Sequence, residues 1–289
     1  MGLIDSILNL AGLLLWLNWR AVPYDPLTTA TPATLIGTLR RAEPSRVRRW
    51  HFLAALAVLL FFRTVLYRIL GPAMHWTAQL DLVATRLSFP SDFFQWMMLF
   101  SVLSFALTLL VFFLSLLLVS LLGGSGEWLL PRLARVHLGA VERLPKWLRL
   151  VLPLMIGALL WWVLTWPLAA WGLIPRPVSE PIRLAQAALV GLGSYLTWKY
   201  LVVALLALRL LNNHVYFGPH PMWKYVNVTA RRLLTPLNRL PLQAGKVDFA
   251  PLAGIALVLA AAQIVERGLT LFGGYRILGL AELYRNLSR

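Results

Sequence analysis

Long apolar runs separated by short basic, proline-bearing stretches extend along the whole chain. Six runs stand out, over residues 3–19, 50–70, 94–122, 148–173, 184–210 and 250–271. A helix needs roughly 20 consecutive apolar residues to cross a bilayer, and the last five runs meet that requirement. The first is weaker. Asp5, Asn9 and Asn18 interrupt it, so it fits either a span or a helix lying in the interface. The pattern predicts an all-α membrane protein, residues 1–289 forming a single polytopic domain with six transmembrane helices. The runs look unbroken, and no discontinuous span is expected.

The basic connections have a helical period of their own. In 222–233, Met222, Tyr225, Val226, Thr229 and Leu233 share one face, and Lys224, Asn227 and Arg231 another. In 129–143 the apolar set is Leu129, Leu133, Val136 and Ala140, against Arg132, Arg135, Glu142 and Arg143. Both predict basic amphipathic helices. The expectation is that they lie in the headgroup plane, apolar side down, with cations towards anionic lipid. Their exposed cations, Lys224, Arg231, Arg232, Arg132 and Arg135, are candidates for docking lipid headgroups or a partner.

A repeat is also visible. FLAALAVLLFFRTVLYRIL (52–70) lies over PLAGIALVLAAAQIVERGL (251–269) without a gap, matching at Leu53, Ala54, Ala57, Leu60, Arg68 and Leu70. PLMIGALLWWVL (153–164) fits the same frame from Pro153. Each unit holds a span, a basic loop, a proline and a second span. This predicts three repeated helical hairpins, 1–74, 94–173 and 182–273.

Composition agrees with the apolar pattern. The chain is 59% hydrophobic and 13% charged, where a soluble domain carries about a quarter charged residues. The net charge of +16 does not gather on a soluble face, as a nucleic-acid binder needs, so no nucleic-acid partner is expected. It falls between spans. Arg20, Arg40, Arg41, Arg46, Arg48 and Arg49 follow the first span. Arg132, Arg135, Arg143, Lys146 and Arg149 follow the third. Arg209, Lys224, Arg231, Arg232, Arg239 and Lys246 follow the fifth. The positive-inside rule places these three loops in the cytoplasm and both termini outside. The N-terminus lacks a basic n-region and reads as no signal peptide, and its Gly2…Ser6 myristoylation pattern is too short to carry weight. Tryptophans near span ends, including Trp16, Trp50, Trp147 and Trp171, fit an interfacial belt. The deeper Trp161, Trp162, Trp166 and Trp198 fit packing better than cofactor stacking.

The junction RRLLTPLNRLPLQAGKVDFAPLAGIALVL (231–259) turns the chain from membrane surface into bilayer. Pro236 and Pro241 break the surface helix. Asp248 can accept from the free N–H groups of the last span, and Pro251 suits its first turn.

This segment resembles the YggT family of small bacterial and plastid membrane proteins. Members carry one or two helical hairpins, a proline–arginine–proline segment and an Asp–aromatic/Leu–small–Pro entry to the second helix. Pro236, Arg239, Pro241, Asp248 and Pro251 fit those positions. The resemblance covers about residues 195–270. The first two units lack the Asp-x-x-Pro, and Arg49 and Trp50 stand near that point in the first. The family is tied to no defined enzymatic activity. Its plastid members are linked to haem attachment in a cytochrome complex and to nucleoid organisation, and bacterial members often sit beside cell-division genes. The resemblance implies an accessory, assembly or scaffold role in the bacterial inner (plasma) membrane. A membrane-protein partner or homo-oligomer would then join the anionic bilayer as partners.

Candidate chemistry is sparse. No HExxH, Walker loop, GxSxG or intramembrane carboxylate pair is present, so an enzyme is not expected and no catalytic or metal-ligating residue is assigned. The chain has no cysteine, which excludes disulfides, Fe–S clusters and thiolate zinc. His51 lies at a span edge, and His75, His137, His214 and His220 fall in loops, so no resident haem or other cofactor is expected. Two alternatives to an accessory protein are a small-solute transporter or channel and a haem-handling subunit of a larger complex. The intramembrane polar residues Arg63, Lys199, Gln263 and Glu266 bear on the transporter reading. Lys199 sits ten residues from Arg209, about 15 Å deeper. The expectation is that it pairs with Glu266, with Gln263 close by and Arg63 near the same layer.

Overall fold

The computed structural model describes residues 2–21, 49–122, 129–215, 221–235, 237, 243–244, 247–270 and 276–288. Its helices are α1 (Gly2–Ala21), α2 (Arg49–Ala73), α3 (Phe94–Leu122), α4 (Leu129–Leu138), α5 (Lys146–Ala170), α6 (Glu180–Gly193), α7 (Trp198–His214), α8 (Pro221–Leu233), α9 (Ala250–Arg267) and α10 (Leu280–Leu287). The short strands are β1 (Ala78–Asp81), β2 (Arg86–Phe89), β3 (Gln243–Ala244), β4 (Val247–Asp248), β5 (Gly268–Thr270) and β6 (Arg276–Leu278). β3 pairs antiparallel with β4, and β5 with β6.

Six helical stretches are long and apolar enough to cross a membrane: Gly2–Arg20, Trp50–Ala73, Phe94–Leu122, Lys146–Ala170, Glu180–Asn213 and Ala250–Arg267. They fall on the six apolar runs. The last ends earlier than its apolar residues do. Gly268 has φ +80° and ψ −179°, a conformation open essentially to glycine alone, and it turns the chain out of α9 into β5.

The expectation of unbroken spans is corrected at the fifth. A 3-10 turn, Ser194–Thr197, separates α6 from α7. Gly191 and Gly193 weaken the helix just before it. The hydroxyls then compete for local carbonyls. Ser194 Oγ donates to Gly191 O at 2.6 Å and Thr197 Oγ1 to Ser194 O at 2.7 Å. Neighbouring helices hold the break in place: Tyr195 donates its phenol to Leu150 O at 2.6 Å and Trp198 its indole N–H to Leu114 O at 2.8 Å.

The chain divides into two compact units, Met1–Leu80 with Ser88–Leu109, and Asp81–Leu87 with Leu110–Arg289. The boundary falls inside α3. In the first unit α1 packs along α2, and Gly12 lies against Phe105 and Leu56. In the second unit α5 packs on α6, the helix that follows it, and α7 packs on both α8 and α9. The α5–α6 crossing is close. A Cβ on Gly191 would lie 2.5 Å from Leu154 O, and one on Gly157 would lie 3.0 Å from the Gly191 Cα. Small residues are what allow membrane helices to approach this nearly. Gly191→Ala is therefore expected to cost about 1–3 kcal/mol, as overpacking of a tight contact does. A thermal melt of the purified protein in detergent checks this.

The terminal helix α10 closes on α6 and α9. Leu280 and Tyr284 are buried, and the Tyr284 ring meets Trp161 edge-on at 5.9 Å. Burial pushes the Tyr284 phenol up to about 12.

Candidate functional site

Three polar assemblies stand out from the apolar helices. The first lies in the first unit. Asp5 and Asn9 sit one turn apart on α1, Arg63 and Tyr67 one turn apart on α2, and Ser104 on α3. That i, i+4 spacing places each pair on one helix face. Arg63 is buried, with 1% of its surface exposed. Its Nε donates to Tyr67 Oη at 3.0 Å, one terminal nitrogen to Asn9 Oδ1 at 2.7 Å, and the other to Ser104 Oγ at 2.8 Å and to Asp5 Oδ1. Tyr67 in turn donates to Asp5 Oδ1 at 2.7 Å. The guanidinium also lies over the Tyr67 and Phe100 rings at 5.3 and 5.7 Å. Every one of these partners belongs to the first unit. The acid that Arg63 reaches is Asp5, which on sequence looked only like a defect in the first span.

The second assembly joins α7 to α9. Lys199 Nζ donates to Glu266 Oε1 and lies 5.2 Å from the Tyr200 ring centroid. Gln263 does not accompany the pair. Its side chain is exposed and no hydrogen bond joins it to Lys199 or Glu266. At the other end of the same two helices Arg209 reaches Asp248 at 3.5 Å. Both cations belong to α7 and both acids flank α9, so α9 is held at each end. The Arg209–Asp248 contact has no sequence signal: the residues are 39 positions apart and neither lies within an apolar run's interior.

Asp248 also acts where the sequence places it. Its Oδ1 accepts from the Ala250 N–H at 2.9 Å, at the entry to α9, and Pro251 follows buried in the first turn. Pro236, Arg239 and Pro241, the other residues fitting the YggT pattern, lie outside the described residues. Asp248→Asn keeps the acceptor for Ala250 and loses the charge facing Arg209. It is expected to cost about 1 kcal/mol, the upper end for an accessible ion pair. Asp248→Ala removes the cap as well and should cost about 1 kcal/mol more. The two are separated by parallel melts, with Arg209→Gln as the second arm of a double-mutant cycle.

The third assembly is basic. Tyr225, Val226, Thr229 and Ala230 of α8 are buried, and Lys224 and Arg231 are exposed, so the face read from sequence is the face found. What covers it differs from the expectation of lipid. Tyr225 and Val226 pack with Leu116 and Val119 of α3, Leu205 of α7 and Ala134 of α4. Burial raises the Tyr225 phenol above its ordinary range. In α4 the inward face is rotated from the one expected. Ala134 and His137 are buried, whereas Val136 is 41% exposed and Ala140 is exposed. The backbone changes pitch there, since Gly139–Arg143 is a 3-10 turn with Gly139 at φ +51°. A single α-helical wheel across 129–143 therefore misplaces its second half. Arg135 is exposed; Arg132 lies on α4, but its side chain is outside the described part.

Some basic residues are committed to the fold. Arg149 donates to Ser120 Oγ at 2.6 Å and Arg232 to Leu122 O at 2.8 Å, both at the C-terminal end of α3. Unsatisfied carbonyls and the negative end of the helix dipole favour cations there. Arg183 lies 4.4 Å over the Trp162 ring and donates to Trp162 O at 2.7 Å. Of the deep tryptophans, Trp161 is buried against Tyr284, Trp162 lies under Arg183, Trp198 donates its indole N–H to Leu114 O, and Trp166 is 68% exposed. His137 is buried beside the Phe112 ring, and His220 lies outside the described residues. Among the described residues no three His, Asp or Glu side chains gather into a group able to hold a metal ion. No protein-family model, no curated protein and no solved structure matches this chain, so its function is argued from these side chains alone.

Proposed function

We propose that this chain is a non-enzymatic accessory or scaffold protein of the bacterial inner membrane, similar in its C-terminal hairpin to the YggT family. In this reading the three basic loops face the cytoplasm and both termini lie outside. Three hairpins in series present α4 and α8 at the cytoplasmic face, where they dock a membrane-protein partner or lipid. The observation that supports it most is the division of labour on α4 and α8. Their buried apolar residues are covered by other helices of the same chain, and Arg135, Lys224 and Arg231 are left outward. An inward face so covered leaves charge as the surface on offer. Co-purification after mild solubilisation is the test. A stoichiometric partner that is lost from Lys224→Gln/Arg231→Gln supports the reading, and a solitary monodisperse protein overturns its protein-partner arm. Sidedness is tested by a cysteine at position 140, which should stay unlabelled by an impermeant thiol reagent in intact cells.

A second reading, a small-solute transporter or channel, is favoured by one observation. The 3-10 break at Ser194–Thr197 lies two residues from Lys199 and its ion pair. Helix breaks beside intramembrane charges recur at transport sites. Solute flux in proteoliposomes that Glu266→Gln abolishes would put this reading first.

A further inference from the structure

The basic face sits at a definite depth. Ala230 and Leu234, at the end of α8, pack against Leu206 and Val202 of α7 and against Ala250 and Ile255 of α9. Ala250 opens α9, and five residues of helix to Ile255 rise about 8 Å. The C-terminal end of α8 is therefore seated beside the first turns of the last apolar helix. That is the level at which hydrocarbon gives way to headgroups. The outward residues of α8 are Lys224, Arg231 and Val228, the last 44% exposed. α4 packs on the earlier part of α8, where Leu133, Ala134 and Leu138 join a separate cluster with Tyr225 and Val226. It turns outward Arg135 and Val136, and the chain continues through exposed Arg143 to Lys146 and Trp147, which is 67% exposed at the start of α5.

Five cations thus alternate with exposed apolar and aromatic side chains on α8, α4 and the chain leading into α5. None of Arg135, Arg143, Lys146, Lys224 and Arg231 is bonded to a described acid, and Glu142 is the one described acid on these elements. Arg149 and Arg232 are excluded, because they are held at the end of α3. We propose that this face, the docking surface of the reading above, binds anionic phospholipid headgroups of the leaflet in which α8 is seated. The depth favours lipid over a soluble acidic protein, which would have to displace headgroups to reach it. The mixed character favours it too: cations engage phosphate while Val136, Val228 and Trp147 meet the glycerol and upper acyl region.

The test uses the full chain in bilayers containing spin-labelled phosphatidylglycerol or phosphatidylcholine, reading the immobilised lipid fraction. The expected result is a severalfold preference for phosphatidylglycerol that shrinks as salt is raised, since exposed charges are screened. Replacing the five cations with glutamine should abolish the preference, with Lys224→Gln/Arg231→Gln alone lowering it. Arg176→Gln, an exposed cation in the α5–α6 connection, should leave it unchanged. A wild-type protein without preference overturns the proposal, as does a five-site or two-site variant that keeps its preference while melting normally. A wild-type protein without preference, from which a protein partner is still recovered through these cations, would sink the lipid inference and keep the docking reading. A preference that persists with no partner recovered would do the reverse.

Discussion

Asp5→Leu is expected to destabilise the protein by about 3–5 kcal/mol, the cost of leaving one member of a buried ion pair without its partner. Arg63 is the reason. Its side chain is almost wholly buried on a helix that crosses the membrane, and Asp5 is the acid it reaches. Tyr67, Asn9 and Ser104 can go on accepting or bridging, but none carries compensating charge. Asp5→Asn should be milder, because an acceptor remains. The revealing variant is Asp5→Leu/Asn9→Leu/Arg63→Met, which removes the ion pair together with Asn9 and leaves only the hydroxyls of Tyr67 and Ser104. Apolar replacement of a complete buried pair is often neutral or stabilising, so this variant is expected to recover most of the loss. Unfolding in mixed detergent micelles, followed by circular dichroism, measures all three. Equal stability of Asp5→Leu and the parent would show that water or lipid phosphate reaches Arg63 and that the network is not structural.

Glu266→Leu is the second. Lys199 keeps 17% of its side chain exposed and Glu266 28%, so solvent screens the pair more than it does Arg63. A loss of about 2–3 kcal/mol is expected, below the range for a fully buried pair. Lys199→Leu/Glu266→Leu should return close to parental stability. If the two single changes simply add in the double variant, the side chains are not coupled and the contact contributes nothing. The same cycle on Arg209 and Asp248 should give a smaller coupling, since that contact is longer and one carboxylate oxygen is already engaged by Ala250.

The spans were legible in the sequence because crossing a bilayer imposes length and apolarity on consecutive residues, and consecutive residues are what a sequence displays. Lys199 and Glu266 were legible as a pair for a related reason. Counting along two antiparallel helices from their ends gives depth, and an isolated charge at depth demands an opposite one. The same count failed for Arg63, because Asp5 near the start of the weakest span was set aside as a flaw. A polar residue in a poor span and a cation in a good one explain each other, and that rule would have found the pair. The break at Ser194–Thr197 left no mark in the hydropathy pattern. A shift from i→i−4 to i→i−3 bonding changes no residue's polarity, and only the Gly191, Gly193 and Ser194 cluster hints at it. The covering of α8 by α3, α4 and α7 was illegible for a different reason. An amphipathic helix has the same pattern whether its apolar side meets lipid or protein.

The clasped arrangement of α7 and α9 bears on how the chain is made. As a lone segment, Lys199 or Glu266 carries an insertion penalty of roughly 2.5–3.5 kcal/mol near the centre of a helix, less towards its end. During synthesis α7 emerges first, and its cations wait through the whole of α8 and the β3–β4 turn before an acid arrives. A nascent chain cut off ahead of residue 247 would hold Arg209 and Lys199 with neither counter-ion, and α7 should then be retained poorly in the bilayer. Once Asp248 and Glu266 are translated, both charges are answered together by one helix in one register. Slipping α9 by a single turn would undo both contacts, so the two ion pairs select a register for the last span as well as stabilising it.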